Sequence, residues 1–424
     1  MPSRGNGRPN GFHEASGQAA PGWLLVLPWS VQPPGGVNHV VRSLIRCLRE
    51  GGVFSPLLIT PRDSKGDSEP VPEAIKQIAL DIAGPLDGRY PLRALLSFIC
   101  RLPFRCQELR SIVNRYNIKI INPHFPDLSS LTFLALKRFC QFDGKIVLSF
   151  HNSDVRDALC TTGLERHLWG ILLRHADRIV VVSNSLGTEL LTLEPRVADK
   201  LTTIYNGVDL GMFASPNRDQ GPLPPAQTGP TIMSVGVFST RKGHDVLVQA
   251  FSLVVKDVPN VRLIIVGQDG PEFKRTRQLI DTLSLGERVF MYKDVPHKRI
   301  PAFLAQAQLF VLASRREGHP LAAIEAGAAG LPVICTRSAG TSELISDGVT
   351  GRLVDVDDEH ALAEAMIDLL THPEKAQRIA TSFRDYIRNN LTWKNTYEKY
   401  LQLAGDGASH NALIAESAKW EVDT

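Results

Sequence analysis

Residues 309–354 read LFVLASRREGHPLAAIEAGAAGLPVICTRSAGTSELISDGVTGRLV, and this stretch decides the fold. It opens with an apolar run, Leu309–Ala313, of a length that suits a buried strand. A polar loop, Ser314–His319, follows, and Pro320 suits the first position of a helix, where its missing N–H costs nothing. The spacing predicts a helix over Leu321–Ala329, Gly330 as its C′ residue, and a second strand from Pro332 through Cys335. Strand, helix and strand in so little chain imply a right-handed parallel βαβ unit. The loop before the helix then lies at the carboxyl edge of a parallel sheet, where open α/β sheets bind ligands.

Two carboxylates mark that edge. Glu317 sits in the loop, and Glu325 lies about a turn inside a helix that is otherwise Leu, Ala, Ile and Gly, hence buried on most sides. A buried carboxylate without a partner costs several kcal/mol, so something should hydrogen-bond it. A sugar diol could do so, and so could a backbone N–H or an arginine.

Glu317 and Glu325 form E-x7-E inside EGHPLAAIEAGAAGLPVI, followed by Ser338-Ala339-Gly340, Glu343 and Asp347-Gly348-Val349-Thr350-Gly351. This pattern resembles the nucleotide-sugar site of the retaining GT-B glycosyltransferases of family 4. The resemblance implies an α/β protein of two Rossmann-like doubly wound domains with a ligand cleft between them. It implies that Glu317 approaches the donor sugar and Glu325 the nucleotide ribose. The backbone between them, at Gly318, His319, Pro320 and Leu321, would approach sugar and pyrophosphate. Free N–H groups and the dipole of a helix N-terminus attract phosphate, which is the physical reason for that placement. His319 stands where the family usually has another aromatic residue, and it leaves the donor sugar open.

A chain of 424 residues is too long for one ordinary core and points to two domains. An apolar content of 43% and a net charge of +3 describe a soluble enzyme with no electrostatic case for nucleic acid. The six cysteines show no C-x-x-C and no metal spacing with histidine, so a reduced, cytoplasmic protein is the simplest expectation. The Gly-, Pro- and Arg-rich segment 1–21 lacks an apolar h-region and reads as a tail rather than a signal peptide. No run approaches the roughly 18 apolar residues of a membrane span.

In chain order, Trp23–Pro28 is the first strand-like run, and Val37–Glu50 is an amphipathic helix. Pro34-Gly35-Gly36 between them allows close backbone approach to a ligand, or simply a tight turn. In the resembled family a glycine loop there faces the donor phosphates, which assigns that role to Gly35 and Gly36. Strands are expected at Phe54–Ile59, Ile118–Asn122, Lys145–Phe150, Arg178–Val182 and Leu201–Tyr205. His124 and His151 each follow a strand directly, in INPHFP and LSFHNSD, where they could meet ligand or bond local backbone. His151 matches the family histidine that contacts the donor sugar near the reacting carbon. Ser183-Asn184-Ser185 reads as a helix cap, and Tyr205-Asn206-Gly207-Val208-Asp209 as a turn.

Residues 214–230 read as a linker between a first domain at 22–213 and a second at 231–390. Strands follow at Thr231–Val237, Val261–Val266 and Arg288–Tyr292, with a helix near Asp245–Lys256. Arg241 and Lys242 precede that helix, where its dipole disfavours cations unless a bound pyrophosphate reverses the sign. The family match assigns them to the diphosphate; the frequent Gly-Arg pair at the strand end is Gly236-Val237 here, and Arg241 stands in for the missing cation. Asp355-Val356-Asp357 has D-x-D spacing but precedes the helix Glu359–Leu370, so Asp357 or Asp358 reads as its N-cap. Residues 391–405, with Thr392 as N-cap, carry Trp393, Tyr397, Tyr400 and Leu401 at helical spacing and resemble the family's terminal helix crossing back onto the first domain. Residues 406–424 form a polar tail.

The expectation is a retaining hexosyltransferase that moves sugar from a nucleotide sugar to a glycan or lipid-linked acceptor in cell-envelope or exopolysaccharide biosynthesis. No cofactor and no metal are expected. A non-catalytic nucleotide-sugar or glycan sensor is the alternative; loss of Glu317, Glu325 or Lys242 would favour it, and all three are present. A dinucleotide oxidoreductase lacks its G-x-G-x-x-G after the first strand. A basic, apolar stretch with Arg89, Arg93, Arg101, Arg105, Arg110, Arg115 and Lys119 raises peripheral contact with an anionic membrane, against an ordinary amphipathic helix with a solvated basic side.

Overall fold

The computed structural model describes residues 20–31, 35–62, 76–86, 91–214 and 229–405. The expected tails and linker fall almost wholly outside these residues, as do Pro34 and Arg89. A first sheet has seven parallel strands: β1 Gly22–Val26, β2 Ser55–Thr60, β3 Gln77–Ala79, β4 Ile118–Pro123, β5 Lys145–Phe150, β6 Arg178–Val181 and β7 Leu201–Thr203. Their order is β3-β2-β1-β4-β5-β6-β7. The second sheet has six: β8 Thr231–Val235, β9 Arg262–Gly267, β10 Val289–Lys293, β11 Leu309–Leu312, β12 Val333–Thr336 and β13 Arg352–Val354. Their order is β10-β9-β8-β11-β12-β13.

Both sheets are doubly wound. The chain leaves the first strand to one side and returns on the other, so crevices open at the carboxyl ends of β1 and β4 and of β8 and β11. Every residue of β1 and of β11 is buried, as expected where helices cover both faces of a parallel sheet. Successive side chains then feed opposite layers. Leu24 and Val26 pack under one face of the first sheet, whereas Trp23 and Leu25 join Trp393, Tyr397 and Tyr400 on the other. Each large side chain buried in this way contributes about 1.5–3 kcal/mol.

The terminal helix Trp393–Ala404 therefore packs on the first domain, beside the helix Gly36–Gly51, and the Thr392 side chain accepts from Asn395 N at 3.1 Å. Asp358 caps Glu359–Thr371 by accepting from Ala361 N at 2.8 Å. Two strands escape the sequence reading, β3 and β13, each three residues long and at a sheet edge. Pro320 is the N-cap of Leu321–Ala328 rather than its first helical residue, with ψ at 101° outside the helical range. Val208 and Phe213, assigned by sequence to the first domain, pack with Met233 and Phe310 in the second domain's core. Val208 N donates to Leu391 O at 2.8 Å, so the chain enters the second domain before the linker. All six cysteines are free thiols. No helix among the described residues is long and apolar enough to cross a membrane.

Candidate functional site

The two crevices face each other across a cleft of about 710 Å³. Gly35, Gly36 and His151 line it from the first domain. Arg241, Lys242, Glu325 and the run Glu317–Leu321 line it from the second. The eleven residues that the family resemblance assigned to the donor site thus meet in one cavity.

The chain after β8 makes a 3₁₀ turn, Thr240–Lys242, and then passes through Gly243 at φ 62°. A Cβ on Gly243 would stand 2.0 Å from Ala313 O, so only glycine lets this loop lie against the end of β11. Arg315 fastens it further, contacting Asp245 at 2.8 Å, Asp357 at 2.7 Å and Thr240 O at 2.6 Å. Lys242 Nζ consequently reaches Glu317 Oε1 at 2.5 Å, and Arg241 Nη1 stands 3.9 Å from Oε2. Burial alone would raise the Glu317 pKa, but Lys242 and Arg241 outweigh it and hold the carboxyl below its ordinary 4.5.

Glu325 has a partner the sequence did not disclose: His297 Nε2 at 2.7 Å. His297 begins the short turn after β10. Burial opposes its charge, yet Glu325 raises its pKa above 6.5. The His39 ring, on the first helix, lies 4.2 Å from the His297 ring, and burial, then His297, Arg46 and Arg42, pull its pKa down to about 3. Ligand atoms of His39, His297 and Glu325 fall within 4.8 Å of one another, a grouping invisible in the spacing of the cysteines and histidines along the chain. The His297–Glu325 hydrogen bond already engages two of the three.

On the first domain, His151 follows β5 and its Nε2 lies 3.1 Å from Nδ1 of His124, which follows β4. The structure thus joins the two strand-end histidines. Asp154, buried below them, accepts from the backbone N–H groups of His151, Asn152 and Val155 at 2.7–3.0 Å and so shapes this loop. A Cβ on Gly35 would meet nothing within 4 Å, which leaves the cleft open there. The His319 ring stacks on Tyr205 at 4.9 Å, and burial lowers its pKa to about 3.

Further contacts draw the domains together around this cavity. A Cβ on Gly318 would stand 2.2 Å from His151 O, so this position needs glycine. Asn206 Nδ2 donates to His319 O at 3.2 Å, and Arg316 pairs with Glu189. Glu343 is not a cleft residue: its carboxylate accepts from Asn184 N at 2.8 Å and Ser185 N at 2.6 Å, capping a first-domain helix from the second domain.

The sequence pattern described as "Glycosyl transferases group 1" matches residues 217–385, and that described as "Glycosyltransferase Family 4" matches residues 34–211. The chain is 30% identical over 181 residues to the GDP-mannose-dependent alpha-(1-6)-phosphatidylinositol monomannoside mannosyltransferase of Mycolicibacterium smegmatis, covering 41% of this chain and 47% of that one. That match spans about half the relative's length. Identity to the N-acetyl-alpha-D-glucosaminyl L-malate synthase of Bacillus anthracis is 27% over 298 residues, 69% of this chain and 76% of that one. Among solved structures, sucrose-phosphate synthase from Thermosynechococcus elongatus aligns with a TM-score of 0.71 at 24% identity, over 93% of this chain and 99% of that one. HepE from Anabaena, in complex with UDP and glucose, aligns at 0.72 and 18% identity, over 89% and 98%. These two likenesses show the fold.

Proposed function

Because the chain belongs to the glycosyltransferases of group 1 and family 4 and has their GT-B fold, we propose that it transfers sugar from a nucleoside-diphosphate sugar to a glycan or lipid-linked acceptor, with retention of configuration. The observation that carries this reading is the convergence of Lys242 and Arg241 on Glu317, opposite Gly35, Gly36 and His151. A diphosphate entering there replaces Glu317 as partner of the cations and also meets the N-terminus of Leu321–Ala328. Ribose hydroxyls donate to Glu325 in place of His297. The donor sugar then lies between Glu317 and His151. The bond from the sugar's anomeric carbon to phosphate breaks, the bond to the acceptor oxygen forms on the same face, and the leaving phosphate takes the acceptor proton.

Charge on the departing diphosphate falls to Arg241 and Lys242. Preorganised contacts of this kind are worth about 10²–10³ in rate each, which supports a reaction that needs no divalent metal. Thermal-shift titration with UDP, GDP and ADP and their common sugars identifies the donor by mass action. Product NMR after turnover in EDTA then decides the mechanism. An inverted anomer, or activity lost in EDTA and restored by Mg²⁺ or Mn²⁺, overturns it.

We place the acceptor in cell-envelope or exopolysaccharide biosynthesis at the cytoplasmic face of a membrane, supported by the phosphatidylinositol mannoside named for the Mycolicibacterium relative. The helix Pro91–Arg115 supports the membrane part. Leu92, Leu96, Ile99 and Phe104 stand 73%, 57%, 54% and 74% exposed, beside exposed Arg93, Arg101, Arg110 and Arg115, with Glu108 the helix's sole acid. Flotation with anionic vesicles at low salt, reduced by Arg93→Glu and Arg101→Glu, is the expected result; no binding removes the membrane from the reading.

A further inference from the structure

Behind His151 runs a chain of hydrogen bonds whose donors and acceptors can be assigned one by one. Asn122 Nδ2 lies 2.7 Å from Val147 O and 2.9 Å from Ser149 Oγ. A backbone carbonyl only accepts, so the amide orientation is fixed and Asn122 Oδ1 is an acceptor. His124 Nε2 lies 3.1 Å from that oxygen and must carry the proton. Burial pulls the His124 pKa well below 6.5 and that of His151 to about 4, so near pH 7 each ring holds a single proton. His124 Nδ1 is therefore a lone pair, and His151 Nε2, 3.1 Å away, must donate to it. The opposite tautomer of His151 would set two lone pairs against each other in a buried site.

The network is closed on every other side. Asn122, His124, Ser149 and His151 are all buried. His151 N donates to Asp154, His124 N donates to Val26 O, and Ser149 Oγ meets the Tyr400 hydroxyl of the terminal helix at 3.0 Å. His151 Nδ1 makes no hydrogen bond to the described residues, and His151 lines the cleft.

We propose that His124 is a positioning residue for the transfer: with Asn122 it locks His151 in the tautomer protonated on Nε2, so that the ring meets the donor sugar only as a hydrogen-bond acceptor, through Nδ1. The inference rests on the placement of His151 beside the donor sugar. Its chemical consequence is that a sugar hydroxyl donates to His151. A donor in which fluorine replaces that hydroxyl fares no better than the deoxy donor, because fluorine cannot donate.

Two measurements on the full chain test this. Long-range ¹H–¹⁵N spectra of histidine-labelled protein at pH 7.5, assigned with His151→Ala and His124→Asn, should show a protonated Nε2 and a bare Nδ1 on both rings. A proton on Nδ1 of either ring overturns the proposal without any variant having to fold. Kinetics follow release of nucleoside diphosphate from UDP-glucose or GDP-mannose. His124→Leu should lower kcat about 10–100-fold with UDP and GDP affinity retained, and His124→Asn, whose Oδ1 reproduces the acceptor at Nδ1, should recover most of that loss. Equal losses in both variants would mean a merely structural role and sink the proposal. Should His151→Ala leave kcat intact, the placement of His151 is wrong and the positioning role falls with it; the spectra tell that failure apart from a wrong tautomer.

Discussion

Lys242→Ala perturbs the assigned diphosphate site in two separable ways. In the unliganded protein it takes the close cationic partner from Glu317, which is 6% exposed, and leaves Arg241, at 3.9 Å and itself 39% exposed, as the remaining cation. Removing one partner of a buried pair costs about 3–5 kcal/mol, and the remaining arginine places this case near the lower end. At about 2–4 °C per kcal/mol for a domain of this size, the melting temperature should fall by roughly 6–12 °C. The deficit should depend on pH. The Glu317 pKa is lowered in the folded protein, so its stabilisation is present above 4.5 and is lost as pH falls through the lowered value. Without Lys242, burial dominates and raises that pKa, so the variant's deficit should be larger at pH 8 than at pH 5. In the liganded protein the loss is a charge-assisted contact of about 1.5–3 kcal/mol, or one to two orders of magnitude in Kd. Calorimetric titration with UDP, GDP and ADP, beside melts across that pH range, reads both effects. Adding Glu317→Gln removes the orphaned charge, so the double variant should regain stability without regaining nucleotide affinity. Unchanged nucleoside diphosphate affinity in both Lys242→Ala and Glu325→Ala would refute the site.

Gly318→Ala places a Cβ 2.2 Å from His151 O and must part the domains; kcat should fall by up to about a hundredfold while nucleotide binding to the second domain persists, and an unchanged kcat speaks against the close approach. Glu343→Ala removes a cap worth about 0.5–2 kcal/mol from the helix Asn184–Leu193, so small-angle scattering should show a more open molecule. Identical scattering from variant and parent would sink that latch. His297 has a raised pKa, so its pairing with Glu325 stabilises fully below 6.5 and is lost as pH climbs through the raised value; His297→Gln should flatten the melting profile in that window, and a profile as steep as the parent's contradicts the pairing.

Much of this was legible in the sequence because the second domain's β11–β12 unit is locally self-consistent. An unbroken apolar strand, a helix of small residues closed by Gly330 at φ 83°, and a second apolar strand leave little choice of structure. What remained hidden depended on the third dimension. The short edge strands β3 and β13 carry almost no pattern of their own and exist because a neighbour offers a ladder. His297 is 28 residues from the Glu325 it bonds, and no periodicity links them. His124 and His151 gave a hint, since each ends a strand, but that β4 and β5 are neighbours is a fact of topology. Glu343 looked like part of the ligand motif because it lies within the motif's span, and only the packed domains show it turned toward the opposite domain.

The segment Arg316–Glu343 supplies Glu317 and Glu325 to the cleft, and it also supplies Arg316, Gly318, the His319 carbonyl and Glu343 to the first domain. Three of these satisfy a group that water would otherwise solvate, namely a glutamate, a side-chain amide and the free N–H groups at a helix start, while Gly318 permits the close approach to His151 O. Because cleft residues and domain contacts alternate along one short piece of chain, any displacement of the loop at Glu317 also moves the contacts on either side of it. On the proposed donor site, donor binding and domain closure would be coupled through covalent neighbours rather than through a long path of side chains. Gly318, lying against His151 O, brings the second domain to the histidine proposed to meet the donor sugar.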